Sequence, residues 1–213
     1  MSTYVPALGF RALTRFYDSF LKLFDEEPMR RALVRQAGVR PGHRVLDVGC
    51  GTGTLAIRLK QACPDAIVAG IDGDPDVLAI AHRKISQAHV GVELSRALAD
   101  ELPFPPASFD RVVTSLVFHH LPTDTKRRTL ARVRECLRPG GELHVADWGE
   151  AEDRLMRFAF LGIQLLDGFA TTSDNVRGRL MPLMSEAGFQ SVTETHRART
   201  PFGSFSFYRA VRP

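Results

Sequence analysis

The chain has 213 residues, 44% hydrophobic and 24% charged, a composition that suits a globular domain with its own core and excludes disordered or fibrous classes. The formal charge of +4 comes largely from arginines spread along the whole sequence, which favours a dispersed solvated surface over an anionic partner or a membrane surface. Cys50, Cys63 and Cys136 form neither a disulfide framework nor a metal-ligand pattern, no stretch reaches the length of a membrane span, and residues 1–10 lack a signal-like apolar region, so a cytoplasmic protein is expected.

In chain order, Phe10, Leu13, Phe16, Tyr17, Phe20 and Phe24 recur at three- and four-residue steps, followed by Met29, Leu33 and Val34. These predict two amphipathic helices over residues 4–36. Their aromatic weight fits core packing, a lid over a pocket or a membrane-surface face, and periodicity does not separate the three. A turn at 39–42 leads to the apolar run Val45-Leu46-Asp47-Val48. That run passes into Gly49-Cys50-Gly51-Thr52-Gly53, after which Leu55, Ala56 and Leu59 recur at helical spacing, giving strand, glycine turn and helix 54–62. Three glycines within five positions indicate a backbone meant to lie against a ligand.

A second buried strand over 66–71 ends at Asp72, and Asp74-Pro75 opens the next helix. A third strand is predicted over 90–98, a proline-rich loop over 102–106, a fourth strand over 109–117 and a helix over 123–137. Thr123 or Asp124 is expected to cap that helix and Pro139-Gly140-Gly141 to stop it. The fifth strand, 142–146, finishes at Asp147-Trp148. Residues 152–170 are apolar nearly all round and predict a helix covered on most sides, either a cap over a pocket or a subunit interface. Thr172-Ser173-Asp174 should cap a helix to Ala187, and 190–198 and 203–211 should form an antiparallel pair. Strands alternating with helices argue for a parallel sheet covered on both faces in a single domain.

In such a sheet ligands sit outside the carboxyl ends of the strands. The glycine turn, Asp72, Ala99-Asp100, residues 114–120 and Asp147-Trp148 would all lie there. An acid closing the second strand suits ribose hydroxyls, because a carboxylate accepts from both. A dinucleotide fingerprint wants a third glycine where Thr54 stands, and a phosphate loop wants a Gly-Lys-Ser/Thr that is absent.

The stretch 45–53, Gly70-Ile71-Asp72, Leu102-Pro103-Phe104 with Ser108-Phe109-Asp110, His119-His120-Leu121 and Leu137-Arg138-Pro139-Gly140-Gly141 together resemble class I S-adenosylmethionine-dependent methyltransferases. The likeness is greatest to the branch holding the ubiquinone/menaquinone C-methyltransferases and related small-molecule enzymes. It implies a Rossmann-like, doubly wound seven-stranded α/β sheet of order 3-2-1-4-5-7-6 with the last strand antiparallel. The implied layout is N-terminal helices and lid at 1–38, a cofactor-binding core at 39–148, a cap at 149–175 and a C-terminal helix with antiparallel strands at 176–213. Carried over by position, the resemblance assigns Asp47, Gly49, Cys50, Gly51 and Gly53 to the methionine and ribose portion of S-adenosyl-L-methionine, the product being S-adenosyl-L-homocysteine. Asp72 would bind the ribose and Gly73 would lie against the adenine. Leu98 occupies the place where the family commonly has an acid, which leaves Ala99 backbone groups and Asp100 to read the adenine edge.

Methyl transfer requires a nucleophile held in line and a dry site, with a base when the nucleophile is a phenol, enol or acidic carbon. His119 is the preferred base, against a purely structural role for the histidine pair; Ser115 and Asp147 would orient cofactor or substrate. Trp148 either walls the substrate pocket or covers the sheet edge, and Tyr17 either closes over the methyl donor or packs as a core tyrosine. No metal is assigned. Absence of the Asn/Asp-Pro-Pro-aromatic turn after the fourth strand, and of a Pro-Cys nucleophile, disfavours nucleic acid, and the apolar 152–170 segment with the aromatic first helix favours a small, fairly hydrophobic acceptor: a quinone precursor, a lipid headgroup or a secondary metabolite. A monomer or homodimer is expected, with membrane contact not required. A noncatalytic cofactor-binding member of the fold and a nicotinamide-dependent oxidoreductase are the alternatives.

Overall fold

The computed structural model describes residues 26–213; the first aromatic helix expected from the sequence, with Tyr17, lies outside the described residues. A seven-stranded sheet of order β3-β2-β1-β4-β5-β7-β6 forms the centre. Its strands are β1 (Arg44–Val48), β2 (Ile67–Asp72), β3 (Val92–Arg96), β4 (Phe109–Ser115), β5 (Leu137–Trp148), β6 (Gln190–Thr200) and β7 (Gly203–Val211). The first five pair in parallel, and β7 runs antiparallel between β5 and β6. The strand order and the antiparallel last strand are those expected.

Side-chain alternation along the strands builds two apolar layers, one on each face. Leu46, Val112, Leu143 and Val145 join Leu130 and Val133 of helix α4 (Thr123–Cys136) and Leu180 and Leu183 of α8 (Leu180–Glu186). Val45, Val68, Val113 and Ala146 face the other way, onto Leu33 of α1 (Glu27–Ala37) and Leu55 and Leu59 of α2 (Thr54–Ala62). Helix α3 (Pro75–Gln87) starts as the sequence indicates: Pro75 occupies its first turn and the Asp74 carboxylate accepts from the Asp76 and Val77 N–H groups.

Several boundaries differ from those read in the sequence. Strand β3 is shorter than 90–98 and β4 ends at Ser115, where Leu116 turns the chain with a φ of +57°. Neither Thr123 nor Asp124 caps α4: Pro122 precedes it, and the Thr123 hydroxyl donates to Asp174. Pro139-Gly140-Gly141 does not stop α4 either. The helix ends at Cys136, and the prolyl-glycyl segment is absorbed into β5, where Gly140 N–H donates to the Arg212 carbonyl and Arg212 N–H to that of Gly141.

The single helix expected over 152–170 is three short ones, α5 (Arg154–Ala159), α6 (Leu161–Asp167) and α7 (Phe169–Val176). Gly168, at a φ of +94°, breaks the last two apart. Thr172-Ser173-Asp174 lies inside α7 and caps nothing; Gly178, at a φ of +67°, separates α7 from α8. Met156, Phe160 and Ile163 are buried, while Leu155, Phe158, Leu165 and Phe169 stand 50–74% exposed, so the described residues cover only one side of this cap. No helix among them is long and apolar enough to cross a membrane.

Candidate functional site

The glycine turn hangs from the carboxyl end of β1 and is tied to β2 by the Cys50 N–H bond to the Ile71 carbonyl, 2.8 Å. Asp72, closing β2, accepts from Gly51 N–H through Oδ2 and from Asp74 N–H through Oδ1, both at 3.0 Å. These two bonds fix the carboxylate beside the turn while leaving each oxygen further lone-pair capacity. Gly49 is required by crowding: a Cβ there would lie 2.4 Å from Val117 Cγ2, and its φ is +68°. At Gly51 a Cβ would meet nothing within 4 Å, so here the backbone is open to a ligand. Lys84 of α3 donates to the hydroxyls of Thr52 and Thr54 and braces the turn from outside.

Cys50 brings only its backbone to the turn. Its side chain packs over Gly70 in the sheet, where burial pushes the thiol up from its ordinary range. Asp47 is 1% exposed, and burial together with the Asp72 charge pushes its carboxyl up to about 7. Its Oδ2 has no hydrogen-bond partner among the described residues.

Gly73 follows Asp72 in a bend, its carbonyl accepting from Arg96 Nε. Ala99 packs partly buried against the first apolar layer. Asp100 departs from the role expected of it: Oδ2 receives both Arg128 Nε (3.0 Å) and Nη2 (2.8 Å). This side chain is a tie between the loop and α4 rather than a free acceptor for an adenine edge.

Past β4 the 3₁₀ turn Phe118–His120 carries the histidine pair. His119 is 3% exposed, and its Nδ1 lies 2.7 Å from Asp147 Oδ1. The same carboxylate accepts from Phe118 N–H at 2.8 Å and Trp148 N–H at 2.7 Å. Burial alone would raise the Asp147 carboxyl, but the His119 ring and the bonds it receives hold it below the usual carboxylate range. A carboxylate accepts only, so His119 Nδ1 donates to Asp147. His120 stacks at 3.9 Å from His119, and burial, reinforced by that neighbour, pushes it down to about 3. His119 and Asp147 are therefore brought together, the carboxylate fixing the ring, while burial holds His120 neutral.

Ser115 closes β4 opposite Ala146 of β5, half-buried. Trp148 is 2% exposed and packs on Phe160 (5.4 Å between ring centroids) and Phe205 (5.6 Å), with His119 at 6.5 Å. The indole thus belongs to the second apolar layer. Among the described residues no group of three or more histidine, cysteine or acidic side chains could hold a metal.

Sequence reading missed Lys84, Lys126, Gln164 and Asn175. Gln164 interrupts the apolar 152–170 segment, its only visible signal, while Asn175 ends the polar run 171–175 and carried none. Lys126 is fully buried under α7, where it donates to the Thr171 carbonyl (2.6 Å) and Asp174 (3.3 Å). Burial lowers its ammonium pKa, against the opposing Asp174 charge.

The profile of the methyltransferase domain family matches residues 45–141. The demethylmenaquinone methyltransferase of Symbiobacterium thermophilum is 31% identical over 139 residues, 63% of this chain and 54% of that protein. The enzyme of the same name from Thermus thermophilus is 38% identical over 119 residues, 56% of this chain and 53% of that protein. The chain thus spans about half the length of these curated relatives. Among solved structures, the Haemonchus contortus phosphoethanolamine N-methyltransferase 2 in complex with S-adenosyl-L-methionine superimposes with a TM-score of 0.67 at 18% identity, over 88% of this chain and 53% of that one. That likeness concerns the fold.

Proposed function

Because the chain belongs, through its 45–141 core, to the class I S-adenosylmethionine-dependent methyltransferases, we infer that it transfers a methyl group from S-adenosyl-L-methionine to a small, apolar acceptor. The carrying observation is Asp72: a carboxylate fixed by Gly51 and Asp74 N–H groups at the end of β2, beside a turn open at Gly51. The residues fit the cofactor. Asp72 would take the ribose hydroxyls, Gly51 and Gly53 would give close backbone approach, and Asp47, with an unpartnered buried oxygen, suits the cationic end. Gly73 and the Ala99 backbone remain the proposed adenine contacts. When bound, the cofactor supplies an electrophilic methyl group on a sulfonium.

The chain's own contribution follows from the geometry of His119 and Asp147. Nε2 of His119 takes the proton of a hydroxyl or acidic carbon, and the ionised Asp147 stabilises the imidazolium that results. Ser115, at the end of the adjacent strand, orients the substrate. Residues 149–175 act as the cap over the 39–148 core, residues 1–38 including Tyr17 as the lid, and 176–213 complete the sheet. The relatives' names support a small-molecule acceptor for this chain.

Calorimetry with S-adenosyl-L-methionine tests the reading. Asp72→Ala is expected to weaken binding by more than roughly tenfold, since bonds to a charged group are lost; unchanged affinity overturns it. A screen of hydrophobic phenols, enols and amines, read by release of S-adenosyl-L-homocysteine, identifies the acceptor. Nicotinamide cofactor binding in place of S-adenosylmethionine would refute the assignment.

A further inference from the structure

Asn175 and Gln164 are 0% and 2% exposed, yet each keeps a side-chain oxygen with no hydrogen-bond partner among the described residues. Their neighbours fix which atom that is. Asn175 Nδ2 donates to the Trp148 carbonyl at 2.9 Å; a carbonyl only accepts, so the amide is not reversible and Oδ1 is the unpartnered atom. Gln164 Nε2 lies 3.0 Å from Thr172 Oγ1, whose own hydrogen goes to the Gly168 carbonyl at 2.7 Å. The Thr172 hydroxyl therefore accepts from Gln164, and Oε1 is left over.

Both side chains meet α7, and that of Asn175 leads on to the His119–Asp147 pair. Thr172 and Asn175, three residues apart, share a face of α7, the helix that packs on the Phe118–His120 turn and on β5. Gln164 donates to Thr172 on that face, Asn175 to the Trp148 carbonyl, and Trp148 N–H to Asp147, which holds His119. A buried carbonyl oxygen without a donor costs about 1–3 kcal/mol, and native interiors keep few of them. Two of them on neighbouring helices, one bonded to the residue that follows Asp147, point to a ligand that donates hydrogen bonds.

Resting on the methyl-transfer reading, we propose that Asn175 Oδ1 and Gln164 Oε1 are specificity-determining groups that accept hydrogen bonds from O–H groups on the methyl-accepting substrate. They select an apolar ring bearing a hydroxyl and reject its ether or carboxylate counterpart. Trp148, Phe160 and Ile163 form the buried apolar surroundings. A carboxylate would meet two carbonyl oxygens and Asp147, all of the wrong sign, and an ether would leave both oxygens unpartnered.

The test is calorimetric titration of 1-naphthol and 1-methoxynaphthalene into the full chain saturated with S-adenosyl-L-homocysteine. The wild-type protein is expected to bind the naphthol at least roughly tenfold more tightly, and Gln164→Met and Asn175→Leu to bring that ratio toward one. Asn175→Leu also loses the Trp148 bond, so Gln164→Met, which keeps length and volume, carries the test if the other fails to fold. A merely structural role would lower stability without changing the ratio. A wild-type ratio near one, no binding of either compound, or an unchanged ratio in folded Gln164→Met overturns the proposal. Titration of S-adenosyl-L-methionine alone separates the two levels: binding with no naphthol preference sinks only the assignment to Asn175 and Gln164, whereas no cofactor binding sinks the methyl-transfer reading beneath it.

Discussion

Asp47, on β1, is enclosed in the interior, whereas Asp72 at the end of the neighbouring β2 is met by two N–H donors. The raised carboxyl of Asp47, about 7 against an ordinary value of 3.8, gives a signed expectation. Between those values the folded protein holds a proton that the unfolded chain releases, so this group's stabilising contribution is full below about pH 4 and is lost as pH rises through about 7. Asp47→Asn should therefore resemble wild type below about pH 4, be the more thermostable of the two already at pH 5, and gain further up to about pH 7, where the difference levels off, both free of cofactor. Thermal unfolding midpoints across that range check it, and a pH-independent difference would show that Asp47 does not titrate there. At this scale the sequence was informative where spacing carries chemistry, as at Asp72 and the glycine turn. It was uninformative where a distant partner decides: nothing near Asp100 announces Arg128, and nothing near His119 announces that Asp147, on another strand, orients its ring.

Helix α7 is held to α4 by an element-to-element joint of buried charge. Lys126 on α4 reaches Asp174 and the Thr171 carbonyl on α7, and Thr123 adds a bond to the same carboxylate. Removing Lys126 takes away its bond to the Thr171 carbonyl and leaves the Asp174 carboxylate with the Thr123 hydroxyl and the half-exposed Arg179 at 3.5 Å, a loss of about 1–3 kcal/mol. Lys126→Met should thus destabilise by that order in urea unfolding and accelerate amide exchange most in α7; exchange raised evenly across the chain would contradict the joint. The strands and α1 to α4 were legible because their apolar periods are long and their flanks carry Pro, Gly and Asp. The 152–187 region was not, because its apolar residues run nearly all round and give no period. Its breaks fall at Gly168 and Gly178, whose positive φ angles let the chain turn between helices.

At the scale of the molecule, the sheet separates two apolar layers that share strands but not side chains. Leu130 is fully buried on the α4 and α8 face, Leu59 on the α1 and α2 face. Leu59→Ala and Leu130→Ala should each cost about 2–5 kcal/mol. Their double mutant should come within about 0.5 kcal/mol of the sum, as distant sites do. Urea denaturation of the four proteins measures this, and a large coupling would mean that the sheet transmits repacking from one face to the other. The order of the strands was readable from the resemblance and the alternation of elements. The assimilation of Pro139-Gly140-Gly141 into β5 was not, since it depends on bonds to Arg212, distant in sequence and just past the end of β7. Trp148 is the only tryptophan in the sequence, wedged between Phe160 and Phe205 with its carbonyl on Asn175. The fluorescence of the whole chain therefore comes chiefly from one indole at the junction of strand, cap and base, an intrinsic optical gauge that registers movement at that junction without any label.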